Sequence, residues 1–375
     1  MNSTTTLPPL NRDAVVGCLL GQAVGDMMGL PAENLSARRI AKLFPKFDRP
    51  RFLFGYGMGS DDTEHACMTA NALLRSGGDS SRFRRSLAWR LRWWFLGMPA
   101  GIGKATLKSC VRLWLGWPSY RSGVKSAGNG PAMRAAILFT TAGCSGELLD
   151  MDCSYAPGWW PWIGESTDLT HQDPQAHRGA VLVRIAAICA ARDRDKPLDP
   201  TQLLDWCCDP SHPPDHASHL DKNMAAIRPA FEAGKSVAEF VEQLGLTRKG
   251  VTGYIAHTVP VAIYAFLRHP DDYRAAVESV IRCGGDTDTV AAITGALVGT
   301  RVGKAGIPKE WLDRWCDWPR SIRWIEKLGE RLAEGKWRTA PQPAVGLAWW
   351  AIPFRNLFFF LVVLCHLVRR LFPPY

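Results

Sequence analysis

The chain has 375 residues, with 45 Lys+Arg against 35 Asp+Glu, a formal charge of +10. With 47% apolar and 21% charged residues, wholesale disorder and fibrous classes are excluded, and the length fits one large domain or two modest ones with ample core. The positive charge suits anionic partners (phosphates, nucleic acid or an anionic membrane face) without choosing among them. Eleven irregularly spaced cysteines, with no CxxC pair, suggest neither a disulfide framework nor a zinc site. The N-terminus lacks a basic start followed by an apolar run, so no secretory signal is expected, and a cytoplasmic chain with reduced thiols is.

Residues 1–12 read as a loose tail. From Asp13 apolar residues recur at helical spacing, while Gly17, Gly21, Gly25 and Gly29 fall every fourth residue. Glycine inside a helix costs roughly 1 kcal/mol against alanine, so four in register suggest that another backbone packs closely there. Leu30-Pro31 ends the helix and Glu33 follows. The stretch from Thr289 carries the same device at Gly295, Gly299 and Gly303. Antiparallel meeting of the two ridges would bring Glu33 near Asp286 and Asp288. Between them, helical stretches are expected over 62–76, 82–97, 131–142, 176–192, 221–245, 252–268 and 272–282. Loops are expected over 97–103, 116–130, 157–175 and 209–215, and few period-two runs make a sheet improbable.

Gly57-Met58-Gly59-Ser60-Asp61-Asp62-Thr63-Glu64-His65 opens one helical stretch. Its adjacent oxygen-bearing side chains can converge on a hard cation, or Asp61 and Glu64 can serve as a capping box; a cap leaves the second Asp surplus. Cys283-Gly284-Gly285-Asp286-Thr287-Asp288-Thr289 opens the second ridge helix in the same manner. If the two turns meet, four carboxylates face one another, a cluster that repels itself without cations and that a two-metal site would resolve.

Gly128-Asn129-Gly130-Pro131 precedes Met133-Arg134 and leaves backbone N–H groups that suit a phosphate, or forms a plain loop-to-helix junction. Thr170-His171 and Gly253-Tyr254 each sit at a helix start. His171 could orient water or a sugar hydroxyl, or be an ordinary surface histidine; Tyr254 could stack on a base, or fill core. The Trp- and Arg-rich stretch 82–121 could meet nucleic acid by charge and stacking, but is read as a helical core face with a solvated basic side.

Gly25-Asp26-x-x-Gly29-x-x-x-Glu33, Ser60-Asp61-Asp62-Thr63, Gly128-Asn129-Gly130-x-x-Met133-Arg134, Thr170-His171, Gly253-Tyr254 and Gly284-Gly285-Asp286-Thr287-Asp288-Thr289, in this order, resemble the ADP-ribosylglycohydrolase family over roughly residues 12–305. The resemblance implies an all-α orthogonal helical bundle with a binuclear Mg²⁺ or Mn²⁺ cleft. It also implies hydrolysis of the glycosidic bond between ADP-ribose and a modified protein side chain or related conjugate. It makes Ser60, Asp61 and Asp62 ligands of one metal, Asp286 and Thr289 ligands of the other, and Asp288 the bridge. Glu33 and Asp61 become the candidates for proton management. Gly128, Asn129 and Gly130 match the loop around the diphosphate and distal ribose, with Met133, His171 and Tyr254 as further substrate positions. Ser60 replaces a more frequent Thr, and Ile137-Leu138-Phe139 replaces a Pro-x-Gly. The rivals are a non-catalytic ADP-ribose-binding or structural member of the same fold, whose mark would be lost ligands, and a nucleic-acid module, which the motifs make improbable.

The expected organisation is a tail to residue 12, a catalytic domain over 13–335, a linker over 336–344 and a hydrophobic tail over 345–375. In that last segment, Pro353, Arg355 and Asn356 interrupt the apolar run and Arg369-Arg370 closes it. A spanning helix needs about 20 apolar residues, and a central Arg would cost roughly 2.5–3.5 kcal/mol. The clean run 357–368 is shorter. The segment can therefore anchor at the inner membrane face, span it, or pack on the body.

Overall fold

The computed structural model describes residues 9–144, 161–207 and 218–372. The described chain is a helical bundle. Its first half holds α1 (Arg12–Gly29), α2 (Ala37–Leu43), α3 (Asp61–Ser76), α4 (Ser80–Leu96), α5 (Lys104–Trp114), α6 (Pro161–Thr167), α7 (Pro174–Arg192) and α8 (Pro200–Cys207). The second half holds α9 (His219–Ala225), α10 (Ile227–Glu232), α11 (Val237–Gln243), α12 (Ile255–Arg268), α13 (Tyr273–Ile281), α14 (Thr287–Val302), α15 (Lys309–Leu312), α16 (Ile322–Ala333) and α17 (Ile352–Arg369). The one described sheet pairs two-residue strands antiparallel, β1 (Leu35–Ser36) on β2 (Gly284–Gly285). No disulfide joins the described cysteines.

The two glycine ridges form the centre. A Cβ on Gly17 would overlap the Gly299 carbonyl, one on Gly21 that of Gly295, one on Gly25 that of Ala291, and one on Gly29 that of Thr287. The partners descend by four as the glycines ascend, so α1 and α14 run antiparallel with their backbones in contact. Every residue from Ala14 to Gly29 is buried. The helix breaks at Pro31, and Asn34 N–H donates to the Gly285 carbonyl (2.6 Å). Glu33 thereby arrives beside the Asp286 turn, as the spacing foretold.

Several expected elements differ. The helix expected over 131–142 is two 3₁₀ segments, Ala132–Arg134 and Ala136–Thr141. Side chains satisfy the carbonyls an α-helix would have used, as where Arg184 Nε donates to the Leu138 carbonyl (3.0 Å). The helix expected over 221–245 is three, α9–α11. Gly234 at φ +70° turns the chain, and a capping box between Ser236 and Glu239 restarts it. Helices α2, α5, α8, α15 and α16 fall outside the expected helical stretches, and α6 lies inside an expected loop.

The stretch 336–344, read as a linker, is packed along α3. Trp337 is fully buried, and Gln342 N–H donates to the Leu74 carbonyl (2.7 Å). The Trp-rich stretch also departs from expectation. Its core stripe is Phe83, Leu87, Leu91 and Trp94, whereas Trp89, Trp93, Trp114 and Trp117 lie on the outer side. Two helical segments, Arg12–Ala32 and Trp349–Arg369, are long and apolar enough to cross a membrane by length and composition, but the first is wholly buried in the body.

Candidate active site

Three chain segments meet where α1 ends and α3 and α14 begin. Asp26, on the last turns of α1, is fully buried, and its Oδ2 accepts from Ser60 N–H (2.8 Å), Thr63 N–H (3.1 Å) and the Thr63 hydroxyl. A side chain of α1 therefore caps α3 from outside, and Asp61 and Asp62 are not consumed by that task. Ser60 adds a local cap by accepting from Asp62 N–H (3.2 Å).

Carboxylate oxygens of Asp26, Asp62 and Asp288 lie within 4.8 Å of one another. The Thr289 hydroxyl donates to Asp62 Oδ2 (3.0 Å), and the Ser60 hydroxyl reaches the same oxygen (3.3 Å). Asp288 Oδ1 accepts from Thr289 N–H (3.0 Å). Asp26 Oδ1 and Asp62 Oδ1 are buried with no hydrogen-bond partner among the described residues. Burial pushes the Asp26 carboxyl up to about 6. Asp61, Asp62 and Asp288 stand well above the ordinary carboxylate range, first through burial and then through repulsion by their acidic neighbours. Orphaned oxygens, hard donors and mutual repulsion fit a hard metal cation.

Glu33 flanks the cluster, half-buried, with Oε1 accepting from Asn34 Nδ2 (2.9 Å). Burial and then the Asp286 charge raise its pKa, while Arg370 opposes them. Asp286 is held by Asn129, whose Nδ2 donates to its Oδ2 (2.6 Å) and to the Thr258 hydroxyl (3.1 Å).

The glycine turn lies on the other side of Asp286. Asn129 N–H donates to the Gly253 carbonyl (3.0 Å), and Ile255 N–H donates to the Ala127 carbonyl (2.9 Å). Added Cβ atoms on Gly128 and Gly130 would lie 3.0 and 2.9 Å from the His171 ring. His171 is thus a buried floor under the turn, its Nδ1 2.8 Å from the Thr170 hydroxyl, and burial lowers its pKa to about 3. Met133 is buried, with its carbonyl accepting from Gln22 Nε2. Tyr254 is half-buried, its hydroxyl donating to Gln175 Oε1 (3.0 Å), with its ring edge-on to His257.

The structure therefore gathers Glu33, Ser60, Asp61, Asp62, Asp286, Asp288 and Thr289 at one place, with Asn129 and the 128–130 turn adjoining. It adds Asp26, which sequence reasoning quoted in a motif but gave no role. The available signal was an acid inside a run whose other face is wholly apolar. It also adds Arg134, fully buried, which donates to the Gly130 carbonyl (3.1 Å), the Ser166 carbonyl (2.8 Å) and the Thr170 hydroxyl (2.6 Å). This guanidinium ties the glycine turn to the His171 segment.

The family model for ADP-ribosylglycohydrolase matches residues 7–341. The chain belongs to the ADP-ribosylglycohydrolase family. It is 24% identical to the ADP-ribosylarginine hydrolase Tri1 of Pseudomonas putida (strain GB-1), over 90% of this chain and 81% of that one. It is 27% identical to the ADP-ribosylhydrolase ARH3 of Bos taurus, over 79% and 86% of the two chains. A solved chain described as an ADP-ribosylglycohydrolase-related protein complex superposes with a TM-score of 0.59 at 25% identity, covering 86% of this chain and 97% of that chain. The family match ends before α17.

Proposed function

We propose that this chain hydrolyses the glycosidic bond joining ADP-ribose to a protein side chain or related conjugate, with two Mg²⁺ or Mn²⁺ ions bound by the acidic cluster. The observation that carries the proposal is a set of carboxylates brought together by α1, α3 and α14 with buried oxygens left unpartnered. Asp26, Ser60, Asp61, Asp62, Asp286, Asp288 and Thr289 would hold the ions, with Asp288 shared. Bound there, the ions would supply Lewis-acid polarisation of ribose oxygens and of a water.

The chain's own groups do the rest. Gly128 and Gly130, lacking a Cβ, let the 128–130 turn sit against the His171 ring, and the turn, adjoining Asp286, would border an anionic, hydroxyl-rich ligand. Asn129, by holding Asp286, fixes the distance between that turn and the metal cluster. Glu33, with its raised pKa, is suited to hold or give up a proton at Oε2, since Oε1 is engaged by Asn34. Asp61 shares that role in principle, being raised by the same neighbours.

A non-catalytic member would show lost ligands, and the sequence keeps all six residues that the resemblance makes ligands. Release of free ADP-ribose from arginine-linked and serine-linked substrates, with Mg²⁺ and with chelator, tests the proposal. Metal-dependent release from either substrate supports it, and no release from any conjugate under saturating Mg²⁺ or Mn²⁺ contradicts it.

A further inference from the structure

Helix α17 has two unlike faces. Its inner stripe, Arg355, Phe359, Val362, His366 and the following Arg370, is spaced at helical intervals and is engaged by the body. Arg355 pairs with Asp317 through Nε (2.9 Å) and Nη2 (2.5 Å) and with Glu64 through Nη1 (3.3 Å). Asn356 Nδ2 donates to the Gly97 carbonyl (2.6 Å), and His366 Nε2 donates to the Phe52 carbonyl (2.7 Å). The outer face is different. Phe354, Leu357, Phe358, Leu361, Leu364 and Val368 are between 45% and 71% exposed. So many large side chains in one strip exceed what scattered surface apolar residues account for.

The strip continues onto other elements. The C-cap of α4, Gly97, is the carbonyl that Asn356 grips, and from it Leu96, Trp93 and Trp89 run back along one exposed face of α4. Trp114 of α5 packs edge-on against Trp93 (6.0 Å). At the near end of α17, Trp349 and Trp350 are exposed, and Trp318 meets Trp350 at 5.5 Å. Near the other end, Phe52 packs on Phe359 and His366, and Phe54 beside it is 99% exposed.

The charge on this surface is one-sided. Residues 80–125 hold ten Lys and Arg and no Asp or Glu, and no acid follows Glu334. Two copies pressed together through this face would set α4, α5 and α17, three helices that carry Lys and Arg but no acid, against their own copies. An anionic bilayer supplies the missing negative charge, and indole rings favour its interface. Spanning is a different matter. It would strip Arg355 from Asp317 and Glu64 and leave their charges buried and unpaired, a large penalty.

We infer that α17, together with the outer face of α4 and α5, lies in the plane of an anionic lipid bilayer surface while its inner stripe stays on the catalytic body. Arg355 also donates to the Gly59 carbonyl, one residue before Ser60. The lipid-facing helix therefore braces the turn that carries the acidic cluster, and the cleft is held at a fixed place relative to the membrane.

The test is co-sedimentation of the full chain with vesicles of phosphatidylcholine, with and without phosphatidylglycerol, beside the double variant Leu361→Glu/Leu364→Glu. Both positions are exposed and touch neither the cluster nor the Arg355 network. Binding should require phosphatidylglycerol, weaken with salt, and fall at least about tenfold in the variant, with an unchanged melt. Alkaline extraction should release the bound protein. Absence of vesicle binding, equal binding by the variant, resistance to alkaline extraction, or a dimer in sedimentation velocity that the variant dissolves would each overturn the inference.

Discussion

Two buried acidic clusters share the first turn of α3 and are built on opposite terms. One contains Asp26, Asp61, Asp62, Asp286 and Asp288, and among the described residues no guanidinium or ammonium pairs with any of them. The other contains Glu64 and Asp317, and every charge is answered. Glu64 pairs with Arg320 (2.7 Å) and Arg355 and accepts from the Trp94 indole, while Asp317 takes a two-pronged Arg355. Burial would pull the Arg355 pKa down, but Asp317 and Glu64 outweigh it and hold it above the ordinary value. Neighbouring sequence positions thus do different work. Glu64 is satisfied by the protein and fastens elements together, whereas Asp62 keeps one buried oxygen without a partner and neither Asp61 nor Asp62 has a described cationic partner.

The sharpest break between the clusters comes from removing a partner. Arg355→Ala leaves Asp317 and Glu64 buried with reduced compensation, and should cost about 3–5 kcal/mol in a denaturant or thermal melt. A loss under about 1 kcal/mol would mean that the second cluster is no fastener.

The pH response should have opposite signs with and without metal. Asp26 has a folded pKa of about 6 against an unfolded reference of 3.8. A raised acid destabilises the fold once ionised, with no penalty below the unfolded value and the full penalty above the folded one, about 3 kcal/mol at most for this group. Asp61, Asp62 and Asp288 act in the same direction. In chelator the melting temperature should therefore rise as pH falls from about 7 to about 5. With saturating Mg²⁺ it should fall over the same window, because ligands must be ionised to bind. A flat or falling profile in chelator would contradict the uncompensated cluster.

Glu33→Gln should have the smallest effect on stability and a clear effect on turnover. Its side chain makes one described hydrogen bond, to its neighbour Asn34. Turnover should drop by about 100-fold, with the melt moved by less than about 0.5 kcal/mol. Normal turnover with a large stability loss would assign Glu33 to structure.

The glycine spacing in α1 and α14 made the central helix pair legible, because only backbone contact explains four small residues in register. The same spacing put Glu33 beside Asp286. Asp26 was missed because its position in a buried helix looks like core. Its purpose, capping α3 from α1, is a tertiary relation that no local pattern encodes. Arg134 and Arg355 were missed for the same reason, since their partners lie far along the chain. The 131–142 segment misled because its residues suit a helix, and only the side chains arriving from α7 make 3₁₀ turns affordable. Helix α17 was legible as apolar, but its inner stripe depends on Asp317 and Gly97.

Calorimetric titration of Mg²⁺ into metal-free protein, for the native chain and Asp288→Asn, tests the central claim most directly. Asn still caps a helix, so the variant should fold, and with one repelling charge gone it should be at least as stable without metal. The account predicts two sites in the native chain, weakened binding at both in the variant, and loss of hydrolysis. Two intact sites in Asp288→Asn, or full native activity in excess chelator, would contradict it.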